Sequence, residues 1–167
     1  KKTKAIVPMH VAGKLCDMKH INSIAKKYNL KIIEDAAQSI CSSYSGKKSG
    51  HYSNACAFSF NPMKVLNTYG EAGAVSTNSK KVFKKLIQLR HAGTIRKKNS
   101  FDINNSNQIS LNHKINTIQA SILLEKLQGL DSVLKKREKI ASYYLKNLSH
   151  LMITQKTEPK EIHGRYL

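Results

Sequence analysis

The sequence of 167 residues has no tryptophan, three cysteines and few acidic residues. It contains no apolar run of about 18 residues, which excludes a membrane-spanning helix. Cys16, Cys41 and Cys56 are too widely spaced for a CxxC metal pattern, and three thiols cannot all pair in disulfides. We therefore expect no metal site, isolated reduced thiols and a cytoplasmic protein. No initiator methionine is present, so we expect the chain to begin inside a longer one.

The scarcity of acidic residues leaves a large excess of positive charge. There are 10 Asp and Glu against 29 Lys and Arg, for a formal net charge of +19. This excess favours an anionic partner and keeps a lysine-rich nucleic-acid-binding module open as an alternative function. Only four of the basic residues are arginines, although arginine supplies most bidentate base contacts in nucleic-acid readers. Nucleic-acid binding is therefore not the favoured interpretation.

The first third of the chain predicts a βαβ unit. An apolar strand over 5–10 precedes a helix over 18–28, which Asp17 caps, and a second strand covers 31–35. Two strands joined by a helix in about 30 residues indicate a parallel sheet.

The remainder alternates in the same way, which places the chain in the α/β class. Residues 42–54 and 94–111 are polar and predict loops. Further strands are predicted over 55–60 and 73–77. A further helix is predicted to begin after its cap, Ser79, and to run to 91. Two more are predicted over 115–128 and 131–148.

Two groups in this pattern carry chemistry. Glu34 and Asp35 end the second strand, where parallel sheets bind ligands, and a buried carboxylate there needs a cationic partner. The alternative is that Asp35 only caps a turn. Lys64 follows a strand and the Pro62 turn and precedes a Gly-containing segment. It is a candidate amine nucleophile for a carbonyl cofactor, although most lysines are only solvated surface charges.

At these residues the sequence resembles the DegT/DnrJ/EryC1/StrS family of sugar aminotransferases. Four segments carry the resemblance, and a weaker match covers 112–127. They are Pro-Met-His-Val-Ala-Gly at 8–13, Ile-Glu-Asp-Ala-Ala-Gln at 33–38, Phe-Ser-Phe-Asn-Pro-Met-Lys at 58–64 and Tyr-Gly-Glu-Ala-Gly-Ala at 69–74. The resemblance implies a fold-type I large domain, with a mainly parallel sheet and helices on both faces, that binds pyridoxal 5′-phosphate (PLP).

The resemblance also implies residue roles. Lys64 would hold PLP covalently and move a proton between substrate and cofactor. Asp35 would keep the pyridine nitrogen protonated, Gln38 would lie near the ring and its phenolic oxygen, and Ser59 would bind the phosphate. Asn112 would reach a phosphate across a homodimer interface; alternatively, it only caps the helix that begins near 115. For His10 we expect a structural role.

The implied protein is an aminotransferase that moves an amino group from an amino acid, glutamate by expectation, to a nucleotide-linked keto-sugar. Family members that instead act as sugar dehydratases carry a histidine in place of Lys64, which argues against that reaction here. Relative to the family, the chain is incomplete at both ends. Residues 1–150 would be the central and C-terminal part of the PLP-binding large domain, and 151–167 the start of the small domain. A catalytically inactive or truncated remnant therefore stays open as an alternative.

Overall fold

The computed structural model describes residues 2–94, 106, 108–148, 150 and 151. Most of the predicted loop over 94–111, and nearly all of the predicted small-domain segment 151–167, lie outside the described residues. Within the described part, the α/β prediction is confirmed. The strands are β1 (Ala5–Ile6), β2 (Lys31–Asp35), β3 (Ser43–Tyr44), β4 (Lys47–Lys48), β5 (Ala55–Ser59) and β6 (Gly73–Ser76). The helices are α1 (Met18–Tyr28), α2 (Lys80–Arg90), α3 (Thr117–Gln128) and α4 (Leu130–Leu148), with a 3-10 turn at Val11–Gly13.

Four of the strands form one sheet in the order β1-β2-β5-β6. The β1–β2 and β2–β5 pairs are parallel, and the β5–β6 pair is antiparallel. The sheet is therefore mixed but mainly parallel. Gly73 begins β6, and a Cβ there would lie 2.7 Å from the carbonyl oxygen of Phe58. The close approach of β5 to β6 thus requires glycine at this position.

The predicted βαβ unit is present, with a shorter first strand. Asp17 caps α1 by accepting a hydrogen bond from the amide of His20 at 3.0 Å. Asn29 ends the helix in the left-handed conformation, with φ of 51°. Met18 and Ala25 of α1 pack with Ile32 of β2 in the buried core. The apolar face of α1 therefore holds the helix against the parallel strands.

The prediction of a plain loop over 42–54 was wrong, because the antiparallel hairpin β3–β4 lies there. Ser45 and Gly46 join its strands with φ values of 48° and 74°. Two consecutive left-handed residues form a tight turn whose twist matches that of a hairpin. The Ser-Gly dipeptide was the available signal, but two-residue strands give no periodic pattern.

The third helix begins at Thr117, two residues later than predicted. Asn116 is its N-cap, because its side chain accepts from the amide of Gln119 at 2.8 Å. The Gln119 side chain in turn accepts from the amide of Asn116, which completes a capping box. Asn112 therefore does not cap this helix, and that alternative was wrong. None of the described helices is long and apolar enough to cross a membrane.

Candidate functional site

Strand register brings two of the predicted site residues to one edge of the sheet. Asp35 is paired with Ala57 of β5, and Ser59 lies two residues further along the same strand. The amide of Ala36 donates to the carbonyl oxygen of Ala57 at 2.9 Å, so β2 and β5 stay in contact up to this edge. Because parallel strands end together, Asp35 and Ser59 face the crevice where α/β folds bind ligands.

The carboxylate of Asp35 stabilises a turn with one oxygen and leaves the other available as a hydrogen-bond acceptor. Its Oδ1 accepts from the amide of Ala37 at 3.0 Å, so the turn considered as an alternative is present. Its Oδ2 makes no hydrogen bond with any described residue, and the residue is half-buried. One carboxylate thus stabilises its own turn while it keeps an acceptor for a ligand.

Lys64 lies in the loop that joins β5 to β6. Its amide donates to the carbonyl oxygen of Asn61 at 2.9 Å, and further along the loop the amide of Thr68 donates to Phe60 at 2.9 Å. The Ser59 hydroxyl accepts from the amide of Asn61 at 3.3 Å. The Lys64 side chain is half-buried, and its Nζ forms no hydrogen bond or ion pair with any described residue. The loop that begins at the end of β5 therefore carries a lysine whose amine has no partner among the described residues.

Gln38 is oriented by the loop that follows β1. Its Oε1 accepts from the amide of Ala12 at 2.8 Å. Ala12 has a φ of 54°, a left-handed conformation that is rare for alanine. Because the amide oxygen is engaged, the NH₂ group of Gln38 is the end available for donation. Gln38 is thus placed to donate a hydrogen bond to an acceptor near Asp35.

His10 and Glu34 form a fully buried pair behind the strand ends. His10 Nε2 lies 2.9 Å from Glu34 Oε2, and both side chains are 0% exposed. His10 Nδ1 accepts from the amide of Cys16 at 3.3 Å, so Nε2 carries the ring proton and donates to Glu34. Burial alone would raise the pKa of Glu34, but the hydrogen bonds from His10 and from the amide of Gly50, each at 2.9 Å, outweigh it and lower the pKa. The structural role expected for His10 is confirmed.

Asn112 lies apart from these residues. It forms a β-bridge with His91, which follows α2, and it is exposed. Its Oδ1 accepts only a long hydrogen bond of 3.4 Å from the amide of Lys114. No hydrogen bond joins Asn112 to Asp35, Gln38, Ser59 or Lys64 among the described residues. Strand pairing thus brings Asp35 and Ser59 to one edge of the sheet, Gln38 and Lys64 lie in the loops that follow β2 and β5, and Asn112 is exposed.

Sequence reasoning gave no role to a group of α3 residues that contact the loop of Lys64. Gln119 and Lys126 both donate hydrogen bonds to that loop. Gln119 belongs to the weaker matching segment. Its polarity was the available signal, but a polar residue is compatible with a helix whether or not it contacts another part of the chain.

The fold and the site define a class of protein: an α/β protein with a carboxylate and a hydroxyl at the carboxyl edge of a mainly parallel sheet, and with a lysine in the loop that follows this edge. The chain belongs to the DegT/DnrJ/EryC1/StrS aminotransferase family, whose sequence model matches residues 1–166. The family assignment from the sequence motifs is confirmed. Aminotransferases of this family depend on PLP.

Several characterised proteins are similar to this chain. It is 41% identical to dTDP-3-amino-3,6-dideoxy-alpha-D-galactopyranose transaminase of Aneurinibacillus thermoaerophilus over 91% of this chain and 40% of that protein. It is 34% identical to UDP-4-amino-4,6-dideoxy-N-acetyl-beta-L-altrosamine transaminase of Campylobacter jejuni over 98% and 43%. The crystal structure of NtdA from Bacillus subtilis with bound cofactor PMP superposes with a TM-score of 0.80 at 36% identity, covering 98% of this chain and 37% of NtdA. The chain thus spans about two-fifths of the length of such relatives.

Proposed function

We propose that the whole protein containing this chain is an aminotransferase that moves an amino group from an amino acid, glutamate in our proposal, to a nucleotide-linked keto-sugar. Its cofactor is PLP, held by Lys64. Family membership supports the reaction class, and the two relatives described above are named as transaminases for nucleotide-linked amino sugars. The observation that carries the proposal is that Asp35 and Ser59 share one edge of the sheet, and that Lys64, whose amine has no partner among the described residues, lies in the loop that begins at this edge.

The donor and acceptor groups at this edge fit PLP. Asp35 Oδ2 offers a carboxylate oxygen for a protonated ring nitrogen, which removes the cost of leaving an ionised carboxylate unpaired. The Ser59 hydroxyl can donate to a phosphate while it accepts from the amide of Asn61. The NH₂ group of Gln38 can donate to a phenolic oxygen. Each group therefore retains the bonding capacity that the cofactor requires.

When bound, PLP supplies an electron sink for the carbon that gains or loses the amino group. Asp35 preserves that property by stabilising the proton on the ring nitrogen. Lys64 Nζ would hold the cofactor at its aldehyde carbon, and as a neutral amine it would carry a proton to or from the substrate carbon.

The arrangement of the whole protein is part of the proposal. We place it in the cytoplasm as a homodimer in which each site uses Asn112 of the other subunit. The exposed Asn112, set apart from its own chain's site, supports this arrangement. An amide that donates to a phosphate dianion forms a strong, charge-assisted hydrogen bond.

Borohydride reduction of the PLP-loaded full-length protein tests the assignment of Lys64. Peptide mass mapping should locate the pyridoxyl group on Lys64, because its Nζ is not engaged elsewhere in the described structure. The label should disappear in Lys64→Ala. It should persist in the control Lys85→Ala, which removes an exposed lysine of α2. A pyridoxyl group on any other lysine would contradict the assignment.

A further inference from the structure

The loop that carries Lys64 is attached to α3 as well as to its own strand. After Lys64 the chain runs through residues 65–72 before it returns to the sheet, where the amide of Phe60 donates to the carbonyl oxygen of Ala72 at 2.8 Å. Backbone hydrogen bonds to Phe60 hold this segment at Thr68 and at Ala72. The residues beside these two points also contact side chains that lie more than 40 residues further along the chain.

Gln119 makes the first attachment. Its side chain is 7% exposed. Its Nε2 donates to the carbonyl oxygen of Tyr69 at 2.7 Å and to that of Glu71 at 3.3 Å. Between these two residues, Gly70 has a φ of 64°, and a Cβ on it would lie 3.5 Å from the same nitrogen. One amide group therefore satisfies two carbonyl groups on either side of a tight turn.

Lys126, two turns further along α3, makes the second attachment. Its Nζ donates to Oδ1 of Asn67, and Nδ2 of Asn67 donates to the carbonyl oxygen of Lys64 at 2.6 Å. Both ends of the Asn67 amide are thus used, and they connect α3 to the backbone of the lysine itself. The two attachments cover opposite halves of the loop.

We propose that Gln119 and Lys126 are positioning residues that hold the Lys64 loop against α3 and so determine where the lysine amine lies. The role of the Lys64 amine rests on the proposed function. The hydrogen bonds between α3 and the loop do not, because they are present in the protein without cofactor. A lysine that must serve both as a covalent anchor and as a proton carrier needs a reproducible backbone position, and the hydrogen bonds from α3 add to those that the loop makes with Phe60 and Asn61.

The competing explanation is that Gln119 serves only the start of α3. It completes the capping box with Asn116, and this alone would account for a polar residue at that position. The variant Gln119→Glu separates the two roles. A glutamate still accepts from the amide of Asn116, and it is a favoured capping-box residue near the positive end of a helix. It cannot donate to Tyr69 and Glu71, however, and it brings a negative charge towards their carbonyl oxygens.

Amide hydrogen exchange of the cofactor-free, full-length protein provides the measurement. In Gln119→Glu we expect exchange over 64–72 to accelerate about tenfold or more, because the carbonyl groups of Tyr69 and Glu71 lose their donor. Exchange over α3 should stay unchanged. The control Ser121→Glu adds the same charge at an exposed position of α3 and should leave the loop unaffected. Unchanged loop exchange in Gln119→Glu would overturn the proposal.

A second variant covers the case in which Gln119→Glu does not fold. Lys126→Met retains the aliphatic stem of an exposed side chain and removes only its donor, and Lys139→Met on α4 is its control. Faster exchange at Lys64 and Thr68 in Lys126→Met alone supports the proposal, and equal exchange in both variants refutes it.

The same variants loaded with PLP connect the attachment to chemistry. Release of the loop should lower kcat more than it raises KM, and it should shift the pH midpoint of the visible absorbance that reports the bound lysine. A kcat and an absorbance midpoint that both stay at wild-type values would refute the link between loop position and the amine. If the wild-type protein binds no PLP at Lys64, the proposed function fails, whereas the exchange result still decides the attachment.

Discussion

At the scale of single residues, one strand end holds two carboxylates in opposite environments. Glu34 is 0% exposed and paired with His10, whereas its neighbour Asp35 is half-buried with one oxygen available. Successive residues of a strand point to opposite faces of the sheet, so adjacent positions meet different surroundings. Glu34 thus belongs to a buried hydrogen-bonded pair, whereas Asp35 keeps an oxygen that the proposed function assigns to the cofactor.

The buried pair predicts a particular dependence of stability on pH. The pKa of Glu34 is lowered from its ordinary value of 4.5, so the folded state favours the ionised form. The stability that this group contributes is therefore fully present above pH 4.5, and it is lost as the pH falls through the lowered folded-state pKa. We expect Glu34→Gln to reduce the free energy of unfolding at neutral pH by about 1–3 kcal/mol.

Urea unfolding at neutral pH and at successive values below 4.5 checks this prediction. The difference between wild type and Glu34→Gln should shrink as the medium becomes more acidic. Glu138→Gln, which changes an exposed glutamate of α4, should behave like wild type throughout. A difference that stays constant with pH would show that the charge of Glu34 is not what stabilises the pair.

Asp35→Asn separates the turn from the chemistry. Asparagine keeps an Oδ1 that accepts from the amide of Ala37, so the turn and the fold should persist. An amide stabilises a protonated ring nitrogen far less well than a carboxylate does. We expect the variant to retain PLP, unfold at the wild-type urea concentration and lose activity by at least about tenfold. Turnover close to wild type would reduce Asp35 to a structural residue.

At the scale of elements, the start of α3 distinguishes two asparagines. Asn116 caps the helix, and its Oδ1 also accepts from the Tyr69 hydroxyl at 3.4 Å. We expect Asn116→Ala to destabilise the protein by about 1 kcal/mol, the usual cost of a lost cap. Asn112→Ala should change stability by no more than about 0.5 kcal/mol, because Asn112 is exposed and lies outside the helix. Urea unfolding of the two variants compares them, and an equal loss in both would contradict this assignment.

At the scale of the whole molecule, the exposed Asn112 predicts complementation between defective subunits. Lys64→Ala and Asn112→Ala should each be weak or inactive alone. If Asn112 serves the other subunit, a mixed dimer combines both defects in one site and leaves the second site intact. After random subunit exchange, we expect activity to recover to roughly a quarter of the wild-type value. Absence of recovery, with exchange verified by differently tagged subunits, would exclude shared sites.

The features that the sequence determined by itself are local. Asp17 and Ser79 each cap a helix by accepting from an amide three residues further on, so the contact exists wherever that short segment is helical. The strand over 31–35 was likewise readable, because its apolar residues are contiguous. The motif around Lys64 identified the family for a related reason, since its residues are neighbours in the chain.

Tertiary structure decided the contacts between distant residues. His10 and Glu34 are 24 residues apart, and Gln119 and the Tyr69 carbonyl are 50 apart. No periodicity or spacing encodes such a pair, because each partner satisfies its own local rules whether or not the other is present. Asp35 and Ser59 share an edge only because β2 and β5 pair in a particular register. The sequence therefore contained the chemistry of the site residues, and the fold decided which of them meet.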